Sequence, residues 1–143
     1  MEASITLKKV GKLIGDKTIL AGLSFGIERG SLVAIVGLND SGKSILLKLL
    51  SGYENPNYGQ VFVQGLDIEK RRSETRQLIG YVPHENDLDP WLTVRQNIMF
   101  NANLYSVSEK LFTERLNKYS SALNLDFYLD EYTFKISGGI PPL

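Results

Sequence analysis

Eight residues, Gly37-Leu38-Asn39-Asp40-Ser41-Gly42-Lys43-Ser44, constrain this chain more than any other stretch. They match the pattern G-x-x-x-x-G-K-[ST] in a setting that gives the match meaning. The apolar run Leu32-Val33-Ala34-Ile35-Val36 precedes them and reads as a buried strand. Ile45-Leu46-Leu47-Lys48-Leu49-Leu50 follows and reads as a helix, stopped at Ser51-Gly52. Strand, glycine loop, helix is the order of a phosphate-binding loop. Gly37 and Gly42 let the backbone curl until successive N–H groups point at one anion. A helix opening at Lys43 adds its positive dipole end and its unpaired N–H groups. Lys43 then supplies a point charge to the outer phosphates of a nucleotide, and the Ser44 hydroxyl a ligand for Mg²⁺. Asn39, Ser41 and Ile45 are the remaining loop positions expected against the nucleotide. The competing reading is a plain glycine turn joining a strand to a helix. Asp40 is discordant in either case, a carboxylate among groups arranged to attract negative charge.

Composition mainly excludes. A chain of 143 residues is at most one domain by ordinary size. Its 16 basic and 16 acidic residues cancel, so no bulk charge draws it to nucleic acid. Lys70-Arg71-Arg72 reads as a solvated turn. With no cysteine, disulfides, thiolate metal sites and cysteine catalysis are excluded, which fits a reducing compartment. Met1-Glu2-Ala3-Ser4 lacks the basic-then-apolar layout of a secretion signal. No apolar run approaches the roughly 20 residues that span a bilayer. A membrane role is therefore expected only through a partner.

Along the chain, Ser4 to Leu13 alternates imperfectly and predicts a half-buried strand; Thr18–Leu20 and Leu23–Ile27 predict more strand after the Gly15-Asp16-Lys17 turn. Asn55-Pro56-Asn57-Tyr58-Gly59 is a dense turn signal, followed by a strand over Gln60–Val63. Glu69 to Gln77 is helical in propensity, and Leu78-Ile79-Gly80-Tyr81-Val82 reads as another strand, stopped by Pro83. Thr93 is placed as an N-cap before a helix with Val94, Ile98 and Ala102 on one face. A second helix from near Ser108 carries Leu111, Phe112, Leu116, Tyr119 and Leu123. This order argues for an α/β nucleotide-binding core with an antiparallel lobe in front and a helical insertion behind.

With these motifs in hand, the chain resembles the ATP-binding subunit of an ABC transporter over nearly its whole length, in style closest to bacterial exporter-type subunits. Tyr53 to Val61 is similar to the family's G-x-x-x-P-x-x-G-x-[IV] stretch, and Leu92-Thr93-Val94-Arg95-Gln96-Asn97-Ile98 to its L-T-V-x-E-N-[IL] entry to the helical lobe. Ile136-Ser137-Gly138-Gly139-Ile140 resembles the family signature L-S-G-G-[QM]. The fold this implies is α/β: a P-loop NTPase of ABC type with an antiparallel β lobe, a partial parallel core and a helical subdomain, the C-terminal part of the core absent. One incomplete nucleotide-binding domain is expected over 1–143, with the β lobe and loop core at about 1–90 and the helical subdomain at about 91–137. By resemblance the cofactors are ATP and Mg²⁺. The implied partners are a transmembrane permease and a second nucleotide-binding subunit, with no nucleic acid. The expected location is cytoplasmic, on the inner membrane face through the permease. Ser137, Gly138 and Gly139 would then meet a nucleotide held by the second subunit, unless they are an ordinary turn.

Departures from the family pattern carry their own expectations. Ile14 stands where the family usually stacks an aromatic on adenine; isoleucine covers a base without stacking, which implies weaker binding and looser base choice. His84 stands at the family's glutamine position beside metal and attacking water, and is read either in that role or as a surface histidine. Asp40 occupies a position the family mostly gives to glycine. Glu85 to Trp91 would line the groove for a permease helix, with Trp91 its anchor or else a loop aromatic tucked onto the core. The family's catalytic Asp-Glu pair and switch histidine follow the signature, and the chain stops at Leu143. Phe127-Tyr128-Leu129-Asp130-Glu131 mimics that pair on the wrong side of the signature and reads as a decoy. Phosphoryl transfer to water needs such carboxylates besides a cradle. The expectation is an ATP-binding fragment that does not hydrolyse ATP alone; the alternative is a non-hydrolysing nucleotide-binding module or decayed remnant. The strand before the loop is expected to lack partners, with apolar faces and backbone groups left open.

Overall fold

The computed structural model describes residues 3–83 and 88–136. The chain divides into two compact units, Met1–His84 and Glu85–Leu143, and each is described by itself.

In the first unit, β1 (Ala3–Ile14) and β2 (Lys17–Glu28) form a long antiparallel hairpin. The chain then runs to α1 (Lys43–Leu50) and returns through β3 (Tyr58–Val63) and the short β4 (Leu66–Asp67). The sheet is antiparallel throughout, in the order β2-β1-β3-β4. Alternation puts Val61 and Val63 of β3 on one face, and the register shift between Leu7 and Val10 brings both of these β1 residues to it. Leu46, Leu49 and Leu50 of α1 bury against that face together with Leu20 and Ile68. A short helix, α2 (Arg72–Gln77), closes the unit with Thr75 fully buried. The basic cluster behaves as a solvated turn, with Arg71 paired to Glu74 and Arg72 bonded to the Asn55 side chain.

The Asn55–Gly59 turn is stapled to β1. The Asn57 carboxamide oxygen accepts from the Leu13 N–H at 2.8 Å, and Lys12 Nζ donates to the Asn55 carbonyl at 2.8 Å. A methyl group on Gly59 would lie 2.2 Å from the Lys9 carbonyl oxygen, and its φ of +85° is left-handed. Only glycine meets both demands.

Two expected strands do not form. Leu32–Val36 and Leu78–Val82 enter no ladder, and Leu32, Val33, Val36 and Val82 are exposed, Val36 by 88% and Val82 by 91%. Among the described residues no strand runs beside either segment, so no parallel core is assembled. An apolar run becomes a buried strand only when neighbours take its N–H and C=O groups, and here only Ile35 and Ile79 reach the core.

The second unit is helical: α3 (Val94–Leu104), α4 (Glu109–Ala122) and single 3₁₀ turns at Asp126–Tyr128 and Thr133–Lys135. Thr93 caps α3 in a reciprocal capping box with Gln96, and Ser108 caps α4. On α4 the inward stripe is Phe112, Leu116 and Ser120, while Leu111, Tyr119 and Leu123 are exposed. The stripe keeps Phe112 and Leu116 of the apolar set and ends on Ser120 in place of Tyr119, Ser120 bonding the Asp126 carboxylate.

Candidate functional site

The glycine loop is built from both ends. Its C-terminal end rests on β2: a Cβ on Gly42 would come within 3.0 Å of the Ile19 and Leu20 side chains. Gly42 holds φ +88° and ψ 8°, which turns the chain into α1. Its N-terminal end is closed by a turn, with the Ser41 N–H donating to the Leu38 carbonyl at 3.3 Å. Lys43 reaches back over the loop. Its ammonium donates to the carbonyls of Gly37 at 2.9 Å and Leu38 at 2.6 Å.

That arrangement disposes of carbonyls and leaves donors. The N–H groups of Gly42, Lys43, Ser44 and Ile45 have no partner among the described residues, and no side chain caps α1. No acidic residue stands in the first turn of α1. A helix start with uncapped N–H groups, a left-handed glycine and an ammonium alongside suits a phosphate chain. Each charge-assisted hydrogen bond from such donors contributes about 1.5–3 kcal/mol. Ser44 is exposed at the second position of α1, its hydroxyl open to a ligand. The Ile45 side chain packs against the core, so only its N–H is on offer. Among the described residues no group of three or more histidines or acidic residues could hold a metal. A divalent ion here would rest on Ser44 and on the phosphates themselves.

The structure brings Gly37 to Ile45 together as one loop, with Asn39 and Asp40 exposed at its turn. Ile14 lies at the tip of the same β1–β2 hairpin that supports Gly42, half exposed and paired with Lys17. His84, Ser137, Gly138 and Gly139 lie outside the described residues.

In the second unit, Asp130 of the decoy string is tied up locally. Arg95 Nε and Nη2 bond its two oxygens at 2.9 and 3.2 Å. These hydrogen bonds hold its carboxyl below the usual carboxylate range against a small opposing effect of burial. Trp91 is not tucked onto a core. It is 74% exposed, its ring 5.6 Å from that of Phe134. Sequence reasoning overlooked what holds it there. Buried Asn97 donates to the carbonyls of Asp89 and Thr93 and accepts from the Asp89 N–H, while the Thr133 hydroxyl donates to the Asp89 carbonyl at 2.6 Å. An asparagine set between the apolar positions Val94 and Ile98 was the available signal.

Comparison with known proteins places this geometry. A family model described as ABC transporter matches residues 20–140. The chain is 32% identical over 136 residues to the probable sulfate/thiosulfate import ATP-binding protein CysA of Chlorella vulgaris, covering 95% of this chain and 57% of that protein. It is 30% identical over 138 residues to the Nod factor export ATP-binding protein I of Burkholderia lata, covering 96% and 45%. Among solved structures, an ATP binding subunit of an ABC transporter superposes with a TM-score of 0.79 at 25% identity, over 90% of this chain and 53% of that one. A bacterial ABC transporter cassette solved as a dimer superposes at 0.81 with 23% identity, over 94% and 63%, a likeness in fold alone. The chain spans about half the length of the relatives it matches.

Proposed function

The chain belongs to the ABC transporter family, and from that premise we propose that its first unit binds Mg-ATP on the Gly37–Ser44 loop as the nucleotide-binding part of a transport ATPase. The carrying observation is the row of free N–H groups from Gly42 to Ile45 beside the Lys43 ammonium. Lys43 exchanges its two carbonyl partners for phosphate oxygens, and Ser44 takes a place on the metal. Mg²⁺, when bound, neutralises phosphate charge; the chain's own part is to hold and orient the phosphates. Ile14, an exposed aliphatic side chain on the supporting hairpin, covers one face of the base without stacking.

These 143 residues alone bind ATP without turning it over. The Asp130-Glu131 pair that mimics a catalytic motif supports this, since Asp130 is tied to Arg95 in the helical unit. Named importers and exporters match over the same stretch, so the matched region is what both directions of transport share. Residues to about 90 form the nucleotide-binding lobe and about 91–137 the helical subdomain. We assign Ser137, Gly138 and Gly139 a role toward a nucleotide held by a second subunit, and His84 the role of the family's glutamine toward the metal. The exposed Trp91–Phe134 pair, seated by Asn97 and Thr133, is offered to a permease, which keeps the subunit at the inner membrane face.

Titration calorimetry with Mg-ATP tests the reading: saturable heat that Lys43→Ala abolishes supports it, and absence of saturable heat from folded protein refutes it. Phosphate release by the same preparation tests the second part. Sustained turnover sensitive to Lys43→Ala would show that the chain hydrolyses unaided.

A further inference from the structure

Asp40 is the one loop residue whose charge opposes the cradle. It sits at φ +61°, a left-handed conformation that aspartate and asparagine tolerate better than most residues. Its carboxylate has no hydrogen bond and no ion pair among the described residues, and it is exposed at the turn. The nearest cation along the chain, Lys43, is committed to the carbonyls of Gly37 and Leu38. Three peptide units separate Asp40 from Lys43, at most about 11 Å between Cα atoms. That is close to the Debye length of about 8–10 Å, so the carboxylate's field acts on any phosphate chain the loop holds.

Resting on the phosphate-cradle reading above, we propose that Asp40 is a charge filter that makes the loop favour Mg²⁺-complexed nucleotide over the metal-free form. Repulsion scales with the ligand's charge. Fully ionised ATP carries about four negative charges and its Mg²⁺ complex about two, so Asp40 penalises the metal-free form about twice as heavily in free energy. The penalty bears on ligand charge rather than on fold, because the carboxylate supports nothing else. Asp40 touches no reacting atom; it sets which charge state enters.

The test is calorimetry of ATP binding with Mg²⁺ and with chelator, on wild type, Asp40→Asn and Asp40→Gly. Asparagine keeps the left-handed tolerance and removes only the charge, whereas glycine removes the whole side chain and adopts the same φ freely. Asp40→Asn is expected to tighten metal-free ATP about fivefold and Mg-ATP about twofold, with both gains shrinking at 0.5 M salt. Asp40→Gly should show the same ratio between the two forms. An equal gain for both forms, or no gain, overturns the filter while leaving the cradle standing. Weaker Mg-ATP binding by Asp40→Asn also overturns it, by showing that the carboxylate holds the metal. If wild type and variants all fold and none binds either form, the cradle reading falls and takes the filter with it.

Discussion

The β1–β2–β3 sheet and the segments Leu32–Val36 and Leu78–Val82 invite comparison, because the weaker sequence pattern makes the better structure. β1 alternates imperfectly and carries two lysines in mid-strand, yet it pairs on both edges and buries Leu7 and Val10. Leu32–Val36 is apolar without interruption and pairs with nothing described. The difference lies in where the partner comes from. An antiparallel partner arrives through a two-residue turn such as Gly15-Asp16, whereas an all-apolar run is the mark of a parallel strand, whose neighbours arrive only after crossovers of a dozen residues or more. Apolar content therefore advertised a strand that nearby sequence could not complete.

Substitutions on the two sides of this comparison should separate widely. Leu49→Ala removes a fully buried side chain between α1 and the sheet, with an expected loss of about 2–5 kcal/mol in denaturant unfolding. Leu32→Ala, at a fully exposed position, should change stability by less than about 0.5 kcal/mol. Equal losses would mean that Leu32 is buried in solution and that its strand has found a partner. Next in size, Gly59→Ala sets a methyl group against the Lys9 carbonyl at a left-handed φ. It should cost more than about 1 kcal/mol and open the β1–β3 edge, read as faster amide exchange at Leu7 and Val61. Amides of Leu32–Val36 should already exchange fast in the wild type, and protection there would break the comparison outright.

The smallest effect is expected at Asp130. Its folded carboxyl titrates below its unfolded value, so its contribution is present above the unfolded pKa and is lost as pH falls through the folded one. Asp130→Asn should leave the melting temperature near neutrality almost unchanged and flatten its decline in acid. Backbone bonds from Val94 to Glu131 and from Arg95 to Leu129 hold that segment regardless of the ion pair. A large loss at neutral pH would show that the exposed pair, not the backbone, joins it to α3.

The glycine loop, the N-cap at Thr93 and the helix start near Ser108 were legible because each is settled within a few residues by hydrogen bonds to nearby backbone. The apolar residues of α4 did not by themselves mark its inward face, because the Ser120–Asp126 bond offsets the burial of a hydroxyl that its residue type alone would place outside. Asn97 was read only as part of a motif, since its bonds to Asp89 exist only once the loop folds back over α3.

Local chemistry written into the chain determined the loop, the caps, the turns and family membership. Tertiary structure alone decided which apolar runs became strands, which face of α4 turned inward, and that the Lys43 ammonium rests on the loop's own carbonyls. The physical reason is range. A cap or a glycine turn is satisfied by atoms a few bonds away, whereas a buried strand or a seated side chain depends on partners whose positions no local stretch of sequence specifies.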